Sequence, residues 1–386
     1  MYTSNFSHRL SSELQNRKTR SLYRQRYSSI PNGRTITIEG KTYLNFSGND
    51  YLGLSRHPDV QDAYSHGVDS LGCGSTGSAL INGYHPIHDT LENKLAEWLG
   101  FESTLLFSTG FSANSSLLKT LFGKDDLIVQ DKLNHASLID GGLMSDARSI
   151  RFNHNDMSHL QLRLNNSARN KIIVSEGVFS MDGDQAHIQQ INQIAEQENA
   201  LFMLDDAHGI GVFGKEGQGT WQASQCKPDI LMATFGKAFG LSGAFIAAKR
   251  EVIDYLVQFS RSYVYSTAMS PAQANAISKT IDIIKKADWR RDKLQQSIAQ
   301  FRNAFKDTNI QLLDSDSAIQ PIIVGSADHA LAYAKKLREN GIWLTAIRPP
   351  TVAENSSRLR ITLTTEHTAE DITFLTSLIK KVFNDT

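Results

Sequence analysis

Thr234 to Gly240 reads Thr-Phe-Gly-Lys-Ala-Phe-Gly and follows an apolar run, Ile230 to Ala233. A lysine set between small residues at the end of a buried strand is a partly desolvated amine. Such an amine loses its proton near neutrality and forms a Schiff base with a carbonyl compound. A phosphate-binding loop would need Ser or Thr after the lysine and a glycine five residues before Gly236. Ala238 and Leu231 stand there instead. Upstream, Ala200 to Gly209 (Ala-Leu-Phe-Met-Leu-Asp-Asp-Ala-His-Gly) is a second apolar run that ends in carboxylates and an imidazole. Pyridoxal phosphate (PLP) needs this combination, because its ring draws electrons only while a carboxylate faces the protonated pyridine nitrogen. Lys237 is the candidate attachment point, Asp205 the partner of the ring nitrogen and His208 the partner of the ring's phenolic oxygen. A strand-end lysine or a helix-capping aspartate explains either element alone, but accounts less readily for the two together.

Other segments offer weaker chemistry. Ser108 to Asn114 places Gly110 between a strand end and a helix predicted from about Ala113. Exposed amides at a helix start bind phosphate, so Gly110 and Phe111 are candidate cofactor contacts, although a simple capped start fits equally. His135, in Asn134 to Ser137, is placed to stack on a pyridine ring or to serve as a structural hydrogen-bonder. Ser175 to Asp184 carries Glu176 and Ser180 out of a buried strand into a polar turn, a costly place for them unless they are paired. The glycine-rich loop Gly72 to Gly83 suits either a phosphate or close packing against a neighbouring subunit. His85, His88 and Glu92 could in principle line up as metal ligands, but Pro86 starts a helix and leaves His85 outside it, so no metal site is expected there. Arginines in Ala346 to Thr351 and Arg358 to Leu363 suit carboxylate recognition, as an amino-acid substrate requires. Arg358 and Arg360 share one strand face, and a structural ion pair is the competing reading.

Positioning these residues requires an α/β architecture. Short apolar runs at Leu105–Phe107, Leu127–Val129, Ile172–Val174, Leu201–Leu204, Ile230–Ala233 and Ala244–Ala248 alternate with helical patterns. That alternation predicts a mostly parallel sheet with helices on both faces and ligands beyond the carboxyl ends of the strands. A helical pattern from Pro271 to Ala287 is expected to link this body to an α+β domain. There, helices are predicted over Leu294–Phe305, His329–Leu337 and from about Thr368, and strands over Ile319–Val324, Trp343–Ile347 and Leu359–Leu363. The segment Ser11–Tyr27 is expected to be a short helical arm with Leu10, Leu14 and Tyr23 on one face. The division is an N-terminal arm at 1–45, a large PLP-binding domain at 46–287 and a C-terminal α+β domain at 288–386.

Among the 386 residues, 40 Lys and Arg balance 40 Asp and Glu, so no overall field favours nucleic acid or an anionic membrane. Two cysteines, Cys73 and Cys226, make no disulfide framework and no zinc spacing. With no signal-peptide pattern and no apolar run of spanning length, a cytoplasmic location is expected.

The chain closely resembles the α-oxoamine synthases, fold-type I PLP enzymes that join an amino acid to an acyl thioester. The resemblance runs nearly end to end. It is carried by Asn45–Leu54 (Asn-Phe-Ser-Gly-Asn-Asp-Tyr-Leu-Gly-Leu), Glu176–Asp184, Asp205–Gly209, Thr234–Gly240 and Ala346–Val352. It implies a seven-stranded sheet flanked by helices, and a homodimer with a shared active site. It makes Lys237 the Schiff-base lysine, with Asp205, His208 and the ring-stacking His135 as its catalytic companions. Gly110, Phe111, Ser180 and Thr234 would contact the cofactor, and Ser266 and Thr267 its phosphate across the dimer interface. Arg360 would hold the carboxylate of L-alanine. Arg24 and Thr351 would lie near the pimeloyl thioester, carried on CoA or on a carrier protein, and Asn49 near the reacting carbonyl. Two positions depart from the family pattern: Ala79 where many relatives have arginine, and Ser270-Pro271 where Pro-Pro is common.

Overall fold

A computed structural model of the chain describes residues 4–384; the first three residues of the N-terminal arm and the last two of the C-terminal domain lie outside the described residues. The chain gathers into two compact units. One comprises 49–180 and 184–294, the other the residues up to 48, 181–183 and those from 295.

In the first unit, seven strands lie in the order Ser103–Phe107, Ala244–Ala248, Ile230–Thr234, Leu201–Asp205, Lys171–Glu176, Leu127–Asp131, Arg148–Phe152. Only Ala244–Ala248 runs antiparallel to its neighbours. All six apolar runs predicted as strands are strands. Their side chains are buried on both faces, as in Leu127–Asp131 and Ala244–Ala248, where every residue is buried. Arg148–Phe152 was not anticipated. It is one of the two edge strands, and the less covered one, so Arg148 and Arg151 face solvent and the apolar signature is lost.

Helix Gly110–Leu121 covers the sheet with Ala113, Leu117 and Leu118, each wholly buried in a cluster with Met203, Met232 and Ile246. Each such leucine contributes about 1.5–3 kcal/mol of burial. The helix starts three residues before the expected Ala113, because the Thr109 hydroxyl caps it by accepting from the Ser112 amide at 3.1 Å. Helix Pro271–Lys285, expected to link two domains, lies wholly inside this unit and packs against Pro58–Leu71. A β-carbon at Gly67 would overlap the Ala272 backbone there. The chain passes from one unit to the other within the next helix, Asp288–Asn303.

Strands Ile230–Thr234 and Ala244–Ala248 are joined by a short return that is pinned at both ends. Thr234 pairs with Ala244, the Phe235 amide donates to Gly243 O at 2.9 Å, and the Leu241 amide to Phe235 O at 2.9 Å. Gly240 turns this return with φ +69, and a β-carbon there would strike the Ser55 backbone.

In the second unit, Ser29–Asn32, Thr35–Ile38 and Lys41–Asn45 form an antiparallel meander that Ile342–Trp343 extends in parallel. A separate three-stranded antiparallel sheet contains Ile319–Gly325, Ser357–Thr362 and Thr345–Ile347. The single strand expected over Trp343–Ile347 is thus two strands in two sheets, divided at Leu344. Helices Ala327–Glu339 and Ala369–Asn384 complete the unit. The arm is a helix, Ser4–Thr19, with no buried residue; Leu10 and Leu14, expected on its packed face, are exposed, and Tyr23 lies beyond its end. No described helix is long and apolar enough to cross a membrane.

Candidate active site

The carboxyl ends of three parallel strands converge on one cavity of about 220 Å³. Asp205 and Glu176 end their strands and Thr234 ends the third, so their side chains meet where the backbone ladder stops. Lys237, Asp205, His208, His135, Asn49, Gly110, Phe111 and Thr234 all line this cavity. The expected catalytic quartet is therefore brought together, along with one face of helix Gly110–Leu121 and the turn before helix Ala136–Met144.

Local hydrogen bonds set each group. Asp205 Oδ2 accepts from Asn114 Nδ2 at 2.7 Å, and Asp205 Oδ1 from the Ala207 amide at 3.0 Å. His208 Nδ1 lies 2.7 Å from the buried Tyr51 hydroxyl, which also reaches Asn49 Oδ1 at 3.2 Å. His135 caps helix Ala136–Met144, its Nδ1 accepting from the Ser137 amide at 3.2 Å. Partial desolvation holds the His135 imidazole below its ordinary pKa; Asp205 opposes that and the like charge of Lys237 adds to it. The Thr234 hydroxyl accepts from the Gly236 amide at 3.1 Å and donates to Gly243 O at 2.8 Å, which fixes the approach to Lys237.

Glu176, Asn114, Ser137 and Tyr51 were not assigned roles from the sequence, although all four sit inside the motifs read there. Glu176 is buried, and its Oε1 has no hydrogen-bond partner. Burial first and the Asp205 charge second push its carboxyl well above the usual range, while the Lys237 charge and the His135 amide act the other way. The neighbouring Asp206 points away from this chemistry: Thr220 donates to it from its amide at 2.8 Å and its hydroxyl at 2.7 Å, and burial lifts its pKa to about 7.

Other expected site residues lie elsewhere. Ser180 is not among the residues lining this cavity; it follows Phe179, whose amide donates to Asp184 O at 2.9 Å. Ser266 and Thr267 line a different cavity of the same unit, with Tyr84, His88 and Glu92. In the other unit, Arg24 Nη2 donates to Thr351 Oγ1 at 3.3 Å, inside a cavity of about 770 Å³ whose charged lining residues, Lys18, Arg24, Lys335, Arg338 and Arg348, are all cationic. Of the arginines on strand Ser357–Thr362, Arg358 makes the structural ion pair, with Asp182 Oδ1 at 2.5 Å and Met181 O at 3.3 Å. Arg360, one step along the same face, is buried as well.

The family model for class I and II aminotransferases matches residues 41–379. The 8-amino-7-oxononanoate synthase of Photobacterium profundum is 44% identical over 98% of this chain and 98% of that relative. The chain belongs to the class I and II aminotransferases and, within them, to the 8-amino-7-oxononanoate synthases. An 8-amino-7-oxononanoate synthase from Francisella tularensis superposes with a TM-score of 0.79 at 30% identity, covering 89% of this chain and 98% of that one. A serine palmitoyltransferase from S. paucimobilis, solved with bound PLP, superposes with a TM-score of 0.93 at 25% identity, covering 100% and 99%. The cavity of this 8-amino-7-oxononanoate synthase family member fits PLP by its own chemistry. It offers an amine, a carboxylate held by two donors, two imidazoles and the amide end of helix Gly110–Leu121, with the orphaned Glu176 Oε1 at its wall.

Proposed function

We propose that this enzyme uses PLP to condense L-alanine with a pimeloyl thioester, giving 8-amino-7-oxononanoate, carbon dioxide and the free thiol. The observation that carries the reading is the convergence of Lys237, Asp205, His208 and His135 on one cavity in a chain of this family. When bound, PLP withdraws electrons from the α-carbon of the amino acid.

The chain's own groups do the rest. Lys237 Nζ would hold the cofactor and, with alanine bound, would take the α-proton and later give a proton to the product. The Asp205 carboxylate would face the ring nitrogen, and His208, steadied by Tyr51, would face the phenolic oxygen beside Asn49. His135 would cover one face of the ring and exclude water from it. The amides of Gly110 and Phe111 take the phosphate, with Ser180 and Thr234 as further contacts. Arg360 takes the alanine carboxylate, and Arg24 with Thr351 the far end of the acyl chain. Ser266 and Thr267 serve the phosphate of a second copy, which makes the working unit a homodimer. A cytoplasmic location is part of this proposal.

The test is thiol release by purified, PLP-loaded enzyme given pimeloyl-CoA or a pimeloyl-carrier protein with L-alanine or with glycine. Release that needs both alanine and a pimeloyl donor is the expected result. Release only from glycine with a short acyl-CoA would assign the enzyme to a sister condensation, and no release with any pair would remove the catalytic reading.

A further inference from the structure

Asn114 sits on the buried face of helix Gly110–Leu121, 1% exposed, and its single nitrogen serves two acceptors. They are Asp205 Oδ2 at 2.7 Å and Ser137 Oγ at 3.0 Å. Ser137, equally buried, lies with its hydroxyl 2.8 Å from His135 Nδ1 and donates its own amide to the same nitrogen at 3.2 Å.

Counting hydrogens fixes the direction of every link. A backbone amide donates to His135 Nδ1, so that atom presents a lone pair and carries no hydrogen. The Ser137 hydroxyl therefore donates to Nδ1 as well, and accepts from Asn114. Both amide hydrogens of Asn114 are then used, one on each branch. The remaining hydrogen of the neutral imidazole must sit on Nε2.

The amide orientation is also determined. Asn114 Oδ1 is buried without a partner, an arrangement that carries a desolvation cost. Turning the amide over would set that oxygen against the Asp205 carboxylate, two acceptors with no hydrogen between them. The orphaned oxygen is thus the cheaper of the two arrangements, and it marks what the site retains in exchange: a rigid link between a strand-end carboxylate and a helix-cap imidazole.

We propose that Asn114 and Ser137 are positioning residues that lock Asp205 and His135 to one another and hold His135 in its Nε2–H form. The proposal rests on the assignment of Asp205 and His135 to the cofactor. Breaking either link releases His135, whereas only loss of Asn114 also deprives Asp205 of a donor.

The experiment compares PLP-loaded wild type with Asn114→Leu, Ser137→Ala and the double variant. It measures kcat, KM for L-alanine, and the pH midpoint of the bound cofactor's visible absorbance. Asn114→Leu and Ser137→Ala should each lower kcat by about 10- to 100-fold with KM changed less than about threefold, and the double variant should fall little below the worse single. The absorbance midpoint should move in Asn114→Leu and stay near wild type in Ser137→Ala. Asn114→Asp, which sets a second carboxylate against Asp205, should bind PLP about tenfold more weakly than Asn114→Leu. Multiplicative single effects, or a wild-type midpoint in Asn114→Leu whatever its melting temperature, would overturn the proposal. If Asn114→Leu does not fold, the smaller change Ser137→Ala still tests the His135 branch through kcat. Asp205→Asn and His135→Ala serve as controls. Should they leave the cofactor absorbance unchanged, the underlying assignment fails; should they change it while Asn114→Leu does not, only the positioning role fails.

Discussion

Glu176 and Asp205 are register partners at the ends of adjacent parallel strands, so two carboxyl groups open side by side into the cavity that holds Lys237. Asp205 receives two donors, whereas Glu176 receives the His135 amide alone and its Oε1 none. One environment suits an anion and the other a neutral acid, a division of roles that active sites use to separate two like groups.

Glu176→Gln follows from that division. A buried acid whose pKa is raised on folding binds its proton more tightly in the native state, so it weakens the fold as pH rises above about 4.5. Glutamine carries no such penalty. The melting temperature of Glu176→Gln should match wild type near pH 5 and exceed it by about 2–4 °C near pH 9. A pH-independent offset between the two proteins would contradict the neutral acid.

Lys237→Ala should lower kcat by about 10³-fold or more, removing both the anchor and the general base. The protein should still take up PLP but lose the visible absorbance band of a lysine-bound cofactor. Turnover near the wild-type level without added amines would reject Lys237 as the attachment point.

His154 stands between two carboxylates, with Nδ1 3.0 Å from Asp131 Oδ1 and Nε2 2.8 Å from Asp184 Oδ2. Desolvation lowers its pKa, but the hydrogen bonds and charges of Asp131 and Asp184 outweigh it and raise the value to about 10. Asp131 also accepts from the Leu133 amide at 2.8 Å, so this clamp steadies the turn that leads to His135. Its stabilisation is full below about pH 6.5 and is lost as pH rises through about 10. His154→Gln should cost about 2–4 kcal/mol at pH 6 and much less at pH 10.5, read from urea unfolding. Equal losses at both pH values would refute the charged clamp.

Gly209→Ala tests why a second aspartate and a glycine flank the site. A β-carbon at Gly209, Gly177 or Gly219 would overlap the Asp206 carboxylate, which these glycines surround. Gly209→Ala should destabilise by about 1–3 kcal/mol through overpacking, seen as a lower urea midpoint at an unchanged slope. An unchanged midpoint would show that Asp206 can move aside.

What the sequence made legible has a physical boundary. Six strands, the edge strand Ser103–Phe107 among them, declared themselves because their side chains are mostly buried and apolar; the other edge strand, Arg148–Phe152, hid its pattern in solvent-facing arginines. The run Trp343–Ile347 looked continuous because hydrophobicity does not record a change of sheet at Leu344. Lys237, Asp205, His208 and His135 were legible because distinctive residue types sit in short motifs. Asn114 and Tyr51 were not, because their partners lie far along the chain. Asn114 reaches Asp205 across 91 positions and Tyr51 reaches His208 across 157. Ordinary residue types acquire these roles only after folding, and no local pattern announces them.

The one antiparallel strand in the large sheet has a consequence for turnover. Since the return carrying Lys237 is anchored to two neighbouring strands at once, the backbone beneath the amine is a fixed pivot. If Lys237 holds the cofactor as proposed, its amine could leave and return by side-chain rotation alone. That motion is faster than loop rearrangement and ends each time at the same place.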